Sequence, residues 1–267
     1  MTEVHMKLSI SNIAWERPRD EDMYAKLRAL GYAGVEIAPT RLFEQPVYDR
    51  LKDAALFKDH LFAQYGLVIS SIQSIWYGRT ENFFADESQR LTLLNYTKEA
   101  IAFAEACGCG NLVFGCPKNR LLTPDASPET AIPFFRALGD YAAIHHTVVS
   151  IEANPTIYGT NYINRTEESF ALAERVNSAG FKVNLDVGTI VQNDEDVMQL
   201  RGRTGSVNHI HISEPNLERI RKRALHRALA KILRDEDYKG FISVEMKMQG
   251  DIAELVEVLT YVGEVFA

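Results

Sequence analysis

Four stretches in the second half of the chain, VVSIEANP (148–155), VNLDVGT (183–189), NHIHISEP (208–215) and GFISVEMK (240–247), alternate apolar with polar side chains. One parity carries Val149 and Ile151, Val183 and Leu185, Ile210 and Ile212, Ile242 and Val244. The other carries Ser150 and Glu152, Asn184 and Asp186, His209 and His211, Ser243 and Glu245. Successive side chains of a strand point to opposite faces, so each stretch predicts a strand with one aliphatic face and one face bearing an acid or an imidazole.

The first half supplies four more candidate strands: KLSISNIA (7–14), GVEIAP (34–39), LVISSIQSIW (67–76) and NLVFGCP (111–117). Between them the pattern turns helical. MYAKLRAL has Asp20 as its expected cap and Gly31 as its stop, and the amphipathic segment 48–65 ends at Gly66. The segment 87–107 places Leu91, Leu94, Ala100, Ile101 and Ala104 at helical spacing, and Ser127-Pro128-Glu129 caps a helix running to about His145. Further helices are expected near 166–178, 193–202, 218–235 and 251–266.

Strand and helix thus alternate eight times. Parallel strands of an open sheet are covered on both faces and read apolar throughout. Polar residues on one parity, repeated over four units spaced as βα repeats, predict instead a closed ring with helices outside. The expected fold is a single α/β domain over 1–267, a (β/α)8 barrel of the TIM type, with its chemistry at the C-terminal mouth of the strands. The length of 267 residues matches the roughly 250 such a barrel needs.

Composition changes this picture little but weighs against several functions. Hydrophobic content of 46% and charged content of 24% are those of an ordinary globular protein. A net charge of −7 offers no footprint for nucleic acid or an anionic membrane. The segment MTEVHMKLSI lacks the basic and apolar regions of a secretion signal, and no apolar run approaches bilayer length, so a cytoplasmic location is expected. Cys107, Cys109 and Cys116 are read as free thiols, since the C-x-C pair has no second half elsewhere.

Glu152, Asp186, His211 and Glu245 would sit on four successive parallel strands, close in space though far apart in sequence. Three carboxylates and an imidazole make a hard, oxygen-rich set suited to one divalent ion, Mn²⁺ or Mg²⁺, with Co²⁺ or Zn²⁺ also admissible. Two open positions on such an ion match the adjacent oxygens of a hydroxy-carbonyl compound, whose neighbouring C–H becomes acidic. Glu152 and Glu245, across the mouth, can move that proton. Further substrate-binding candidates are Glu36, Gln73, Trp76, Arg79, Asn154 and His209. Lys118, Asn119 and Arg120 lie on the same rim, as anion-binding groups or as solvated loop charge. His145, His146 and His226 are read as structural, and the basic run ERIRKRALHR as a solvated helix face.

With these residues assembled, the chain resembles the xylose-isomerase-like barrel superfamily and, within it, the sugar phosphate isomerase/epimerase proteins. The resemblance runs from KLSISN through GVEIAPT, SIEANP, NLDVGT, HIHISEP and SVEMK. It implies one metal held by Glu152, Asp186, His211 and Glu245, with Glu152 and Glu245 as the acid/base pair, as in ketose 3-epimerases. Three positions depart from those relatives. Thr189 stands where they carry a histidine, Tyr158 where they carry a glutamate, and Glu214 and Asn216 follow the strand 7 histidine without an arginine in register.

The function expected is a metal-dependent isomerase or epimerase of a small carbohydrate, with no nucleic-acid or membrane partner and a possible homo-oligomeric state. A keto-sugar lyase or dehydratase shares the same first step. An AP-endonuclease-like zinc nuclease and a non-catalytic binding barrel are the remaining alternatives.

Overall fold

The structure, a computed structural model, describes residues 6–266. In chain order it contains β1 (Lys7–Ser11), α1 (Asp20–Ala29), β2 (Gly34–Ile37), the single-turn α2 (Pro39–Leu42), α3 (Leu51–Tyr65), β3 (Val68–Ile72), α4 (Glu87–Ala106) and β4 (Leu112–Phe114). There follow α5 (Ala131–Ile144), β5 (Val149–Glu152), α6 (Thr166–Val176), β6 (Phe181–Asp186), α7 (Val187–Gln192), β7 (Val207–Ile212), α8 (Ala224–Asp235), β8 (Phe241–Val244) and α9 (Ile252–Phe266). Each strand pairs in parallel with the next, and β1 pairs with β8, Leu8 opposite Ile242, to close the barrel.

Local chemistry sets most boundaries. Gly66 ends α3 in the left-handed region at φ 65°, where a side chain is disfavoured. The Ser127 hydroxyl accepts from the Glu129 amide, as the Ser-Pro-Glu pattern implies. Four expectations are corrected. The first strand stops at Ser11, not at 14, because the Ser11 side chain turns back to cap a short 3-10 turn, Asn12–Ala14. Asp20 lies inside the first turn of α1 rather than capping it, and its carboxylate takes the Trp15 indole N–H at 2.8 Å and Arg41 at 2.6 Å.

The helix expected at 193–202 is replaced by α7, which starts directly after Asp186, and by a 3-10 turn at Val197–Leu200. The helix expected from 218 begins only at Ala224, after a stretch tied down by Arg223 Nε donating to Glu214 at 2.8 Å. On α4, Leu91 is exposed, and Leu93, Ala100, Ile101 and Phe103 form the buried face.

Outward-facing aliphatics of the strands, among them Ile10, Ile151, Leu185, Ile212 and Val244, are buried beneath the helices. Each contributes about 1.5–3 kcal/mol. The barrel interior differs from the layers of branched aliphatics that commonly fill such rings. Asn111 is its hub: Nδ2 donates to Ser71 Oγ at 2.9 Å, while Oδ1 accepts from Ser150 Oγ at 2.7 Å and from Asn208 Nδ2 at 2.8 Å. Hydroxyls and amides pairing with one another support the level above them. No helix among the described residues is long and apolar enough to cross a membrane. The three cysteines are unpaired, and Cys107 and Cys109 are buried.

Candidate metal and catalytic site

Glu152 and Asp186 are the last residues of β5 and β6, His211 is the penultimate residue of β7, and Glu245 follows β8 directly. The strand register aligns them. Glu152 stands opposite Asn184, Asp186 opposite His211, and His211 opposite Ser243. A one-residue shift between Val183 and Asn184 brings β6 and β7 into that alignment. As a result one ligand atom from each of Glu152, Asp186, His211 and Glu245 lies within 4.8 Å of every other, and all four residues are buried.

His211 is the centre of the cluster. Its Nδ1 lies 2.8 Å from Glu152 Oε1 and 3.2 Å from Glu245 Oε2, and its Nε2 lies 2.9 Å from Glu36 Oε2. A carboxylate engaging one ring nitrogen orients the imidazole and points the other at the acids. Burial and neighbouring carboxylates shift the titrations. Burial pushes Glu245 up to about 7 against the pull of His211, and burial with Glu152 alongside pushes Asp186 up to about 6. Burial acts to lower His211, but Glu245 and Glu36 hold it well above its usual value. Burial acts to raise Glu36, yet His211 and His209 hold it well below the usual carboxylate range. A buried set this rich in carboxylates calls for positive charge, and its oxygen-dominated donors fit a hard divalent cation.

Each acid is held from behind. Asp186 Oδ2 accepts from the Thr189 amide at 2.6 Å and lies 2.7 Å from the Thr189 hydroxyl, so Asp186 also caps α7. Its Oδ1 accepts from Ser213 Oγ. Glu152 Oε1 accepts from Asn184 Nδ2 at 2.7 Å, and Oε2 from Asn154 Nδ2 at 2.9 Å. A Cβ at Gly115 would stand 2.8 Å from Glu152 Oε2, so a side chain at position 115 would push that carboxylate out of its place.

A cavity of about 190 Å³ opens above the cluster, lined by Glu152, Asp186 and Glu245 together with Gln73, Ser74, Val113, Gly115, Cys116, Pro117, Asn154, Tyr158 and Leu217. Tyr158, whose hydroxyl accepts from the Asn216 amide at 2.9 Å, is pushed up to about 12 by burial and by Asp186. Glu214 turns away from the cavity to pair with Arg223. A larger depression, about 540 Å³, lies at the opposite end of the barrel between Lys7, Lys182, Lys239 and Phe241 and holds none of the four acids or imidazoles of the cluster.

The residues expected to bind substrate divide. Gln73 and Asn154 line the cavity, Gln73 with Nε2 donating to Ser11 Oγ and 3.3 Å from Glu36. Trp76 and Arg79 do not form its wall. The Trp76 indole is buried, donates to Thr97 Oγ1 at 2.8 Å and packs edge-on against Phe114, whereas Arg79 pairs with Glu81 and stacks over Tyr96. Glu36 is fully buried beneath the mouth with its carboxylate engaged by His211. His209 also sits below the mouth, with Nε2 3.0 Å from Glu36 Oε2, and lines the far depression.

Arg120, expected at a solvated rim, is only 1% exposed. Asn184 and Ser213, two residues from Asp186 and His211, share their strand parity, and that was a readable signal. A single arginine in the run KNR gave none.

The family model described as xylose isomerase-like TIM barrel matches residues 24–261. Among curated proteins, no sequence matches the chain. Among solved structures, the chain is similar to 3-keto-D-glucoside 4-epimerase from E. coli, at 17% identity and a TM-score of 0.76 over 96% of this chain and 98% of that one. It is similar to D-psicose 3-epimerase from Clostridium cellulolyticum H10, at 15% identity and a TM-score of 0.76 over 98% and 99%. It is also similar to a family 2 AP endonuclease from Brucella melitensis, at 19% identity and a TM-score of 0.70 over 98% and 97%. At these identities the structural likeness is one of fold, and with the family match spanning most of its length the chain belongs to the xylose isomerase-like TIM barrel family.

Proposed function

We propose that the protein is a divalent-metal-dependent isomerase or epimerase of a sugar or sugar derivative, working by proton transfer next to a carbonyl. The observation that carries this reading is the convergence of Glu152, Asp186, His211 and Glu245 within 4.8 Å beneath an open cavity. These four residues would hold the ion, with Mn²⁺ or Mg²⁺ best suited to the donors and Co²⁺ or Zn²⁺ admissible. When bound, such an ion polarises a substrate carbonyl and makes the adjacent C–H more acidic.

The protein's own groups handle the proton. Glu152 and Glu245 flank His211 Nδ1 and both open on the cavity, so one takes the proton and the other returns one to the opposite face. Gln73, Ser74, Asn154 and Tyr158 offer amides and hydroxyls to the hydroxyls of a sugar. Among the described residues neither lysine nor arginine lines the cavity, which favours an uncharged substrate over a phosphorylated one. The names of two similar structures, both sugar epimerases, support the same class. Three unpaired cysteines accord with a cytoplasmic setting.

A keto-sugar lyase or dehydratase would begin with the same proton removal. The zinc-nuclease alternative has less support, because Gln73 and Thr189 occupy positions where additional metal-binding histidines would be required. The deciding experiment incubates Mn²⁺-loaded protein with a panel of keto-sugars in deuterated solvent, with and without chelator. Deuterium at the reacting carbon, abolished by chelation, is expected; turnover that survives chelation sinks the proposal.

A further inference from the structure

Arg120 lies in the loop after β4, fully buried, with no carboxylate within 4.0 Å among the described residues. Its Nε and Nη1 have no hydrogen-bond partner there. Only Nη2 is engaged, donating to Asn154 Oδ1 at 2.7 Å and lying 3.4 Å from the Ile163 carbonyl. Burial lowers the guanidinium only to about 10, so it remains charged at neutral pH. A buried cation without an anionic partner costs several kcal/mol, and an apolar side chain of similar volume would serve the fold as well or better. The position therefore holds an arginine for a reason other than stability.

The reason lies in the amide between Arg120 and Glu152. Arginine has donors only, so the end of Asn154 that faces it must be the oxygen. That leaves Nδ2–H directed at Glu152 Oε2, where it donates at 2.9 Å. Asn184 donates to the other carboxylate oxygen, and Gly115 lets the backbone of the β4 loop close over the same side. Without a donor behind it, the Asn154 amide is free to rotate, and Glu152 loses one of its two clamps.

We propose that Arg120 is a positioning residue for Glu152, acting through the orientation of the Asn154 side chain to hold that carboxylate toward the cluster. The inference rests on the metal-site reading and is tested on metal affinity rather than on turnover. Mn²⁺ affinity is measured by titration calorimetry, with thermal unfolding alongside, for wild type, Arg120→Met, Arg120→Lys, Asn154→Ala and the Arg120→Met/Asn154→Ala double variant.

Arg120→Met and Asn154→Ala are each expected to bind Mn²⁺ roughly tenfold more weakly, as losses behind a metal ligand usually do, while Arg120→Met unfolds at no lower temperature. The double variant should be no weaker than the weaker single one, because both changes break one relay. Arg120→Lys, still a donor-only group, should recover most of the loss. Charge alone predicts the opposite sign, since deleting a nearby cation strengthens cation binding. Unchanged or tighter Mn²⁺ binding by Arg120→Met, or losses that multiply in the double variant, overturns the proposal. If Arg120→Met does not fold, wild-type affinity in Asn154→Ala overturns it equally. A wild-type protein that binds none of Mn²⁺, Co²⁺ and Zn²⁺ overturns the metal reading itself, and this inference with it.

Discussion

His211 of β7 donates its Nε2–H to the carboxylate of Glu36 on β2, 2.9 Å away across the barrel interior. Glu36 is held ionised and can only accept, so the proton on that side belongs to the imidazole. Substituting Glu36→Gln removes the charge that orients the ring and sustains its basicity. Mn²⁺ affinity measured by calorimetry is expected to fall by roughly 10- to 100-fold. Wild-type affinity in a folded Glu36→Gln protein would show that the Glu36–His211 pair serves only the barrel.

Metal binding should be steeply dependent on pH. Burial places Glu245 near 7 and Asp186 near 6, so below those values a cation must displace protons to reach the oxygens. His211, held well above its usual value, must also give up its Nδ1 proton, so affinity is expected to fall as pH falls, by at least about tenfold between pH 8 and pH 6, with protons released on binding. Calorimetry in buffers of different ionisation enthalpy counts those protons directly. An affinity flat across this range contradicts the proposed ligand set.

Trp76 belongs to the packing between β3 and α4, not to the cavity wall. Trp76→Phe loses the 2.8 Å bond to Thr97 and leaves a void beside Phe114, for a cost of about 1–3 kcal/mol in denaturant unfolding. Mn²⁺ affinity and the Michaelis constant for any identified substrate should stay at wild-type levels. A raised Michaelis constant with unchanged stability would return Trp76 to the substrate site.

His226 on α8 is fully buried, with Nδ1 3.0 Å from the Tyr261 hydroxyl, and burial lowers it to about 4. Its folded value lies below the 6.5 of an unperturbed imidazole, so between the two the unfolded chain binds a proton that the folded chain refuses. The contribution is complete above pH 6.5 and is lost as pH falls through that window, by about 2 kcal/mol at pH 5. In His226→Gln, the difference in urea stability between pH 7 and pH 5 should shrink by about that amount. An unchanged difference would mean that other groups carry the acid sensitivity.

The barrel was readable because its strands keep strict parity: Ile151 against Glu152 and Leu185 against Asp186 announce a greasy wall and a polar interior in a few letters. The same parity brought out the four clustered side chains and gave Asn184 the right face. What stayed hidden depends on contacts distant in sequence. Glu36 meets His211 only after the ring closes, and nothing local separates an acid that binds sugar from one that orients an imidazole. Trp76 and Arg79 follow a strand at the mouth, yet Thr97 and Phe114 take up the indole while Glu81 and Tyr96 take up the guanidinium. The start of α7 was missed because Asp186 was read solely as an acid, although an aspartate ahead of a valine-glycine-threonine run is also a helix cap.

That double duty of Asp186 bears on how such barrels diversify. Aspartate is long enough to bridge to the Thr189 amide, short enough to stay at the end of β6, and anionic. Asparagine keeps the first two properties, and glutamate keeps the first and the last but is too long for the second. Lineages drifting toward new substrates can therefore vary Gln73, Tyr158 or Leu217 without disturbing a helix, whereas position 186 ties chemical novelty to architectural loss and should be among the last to change.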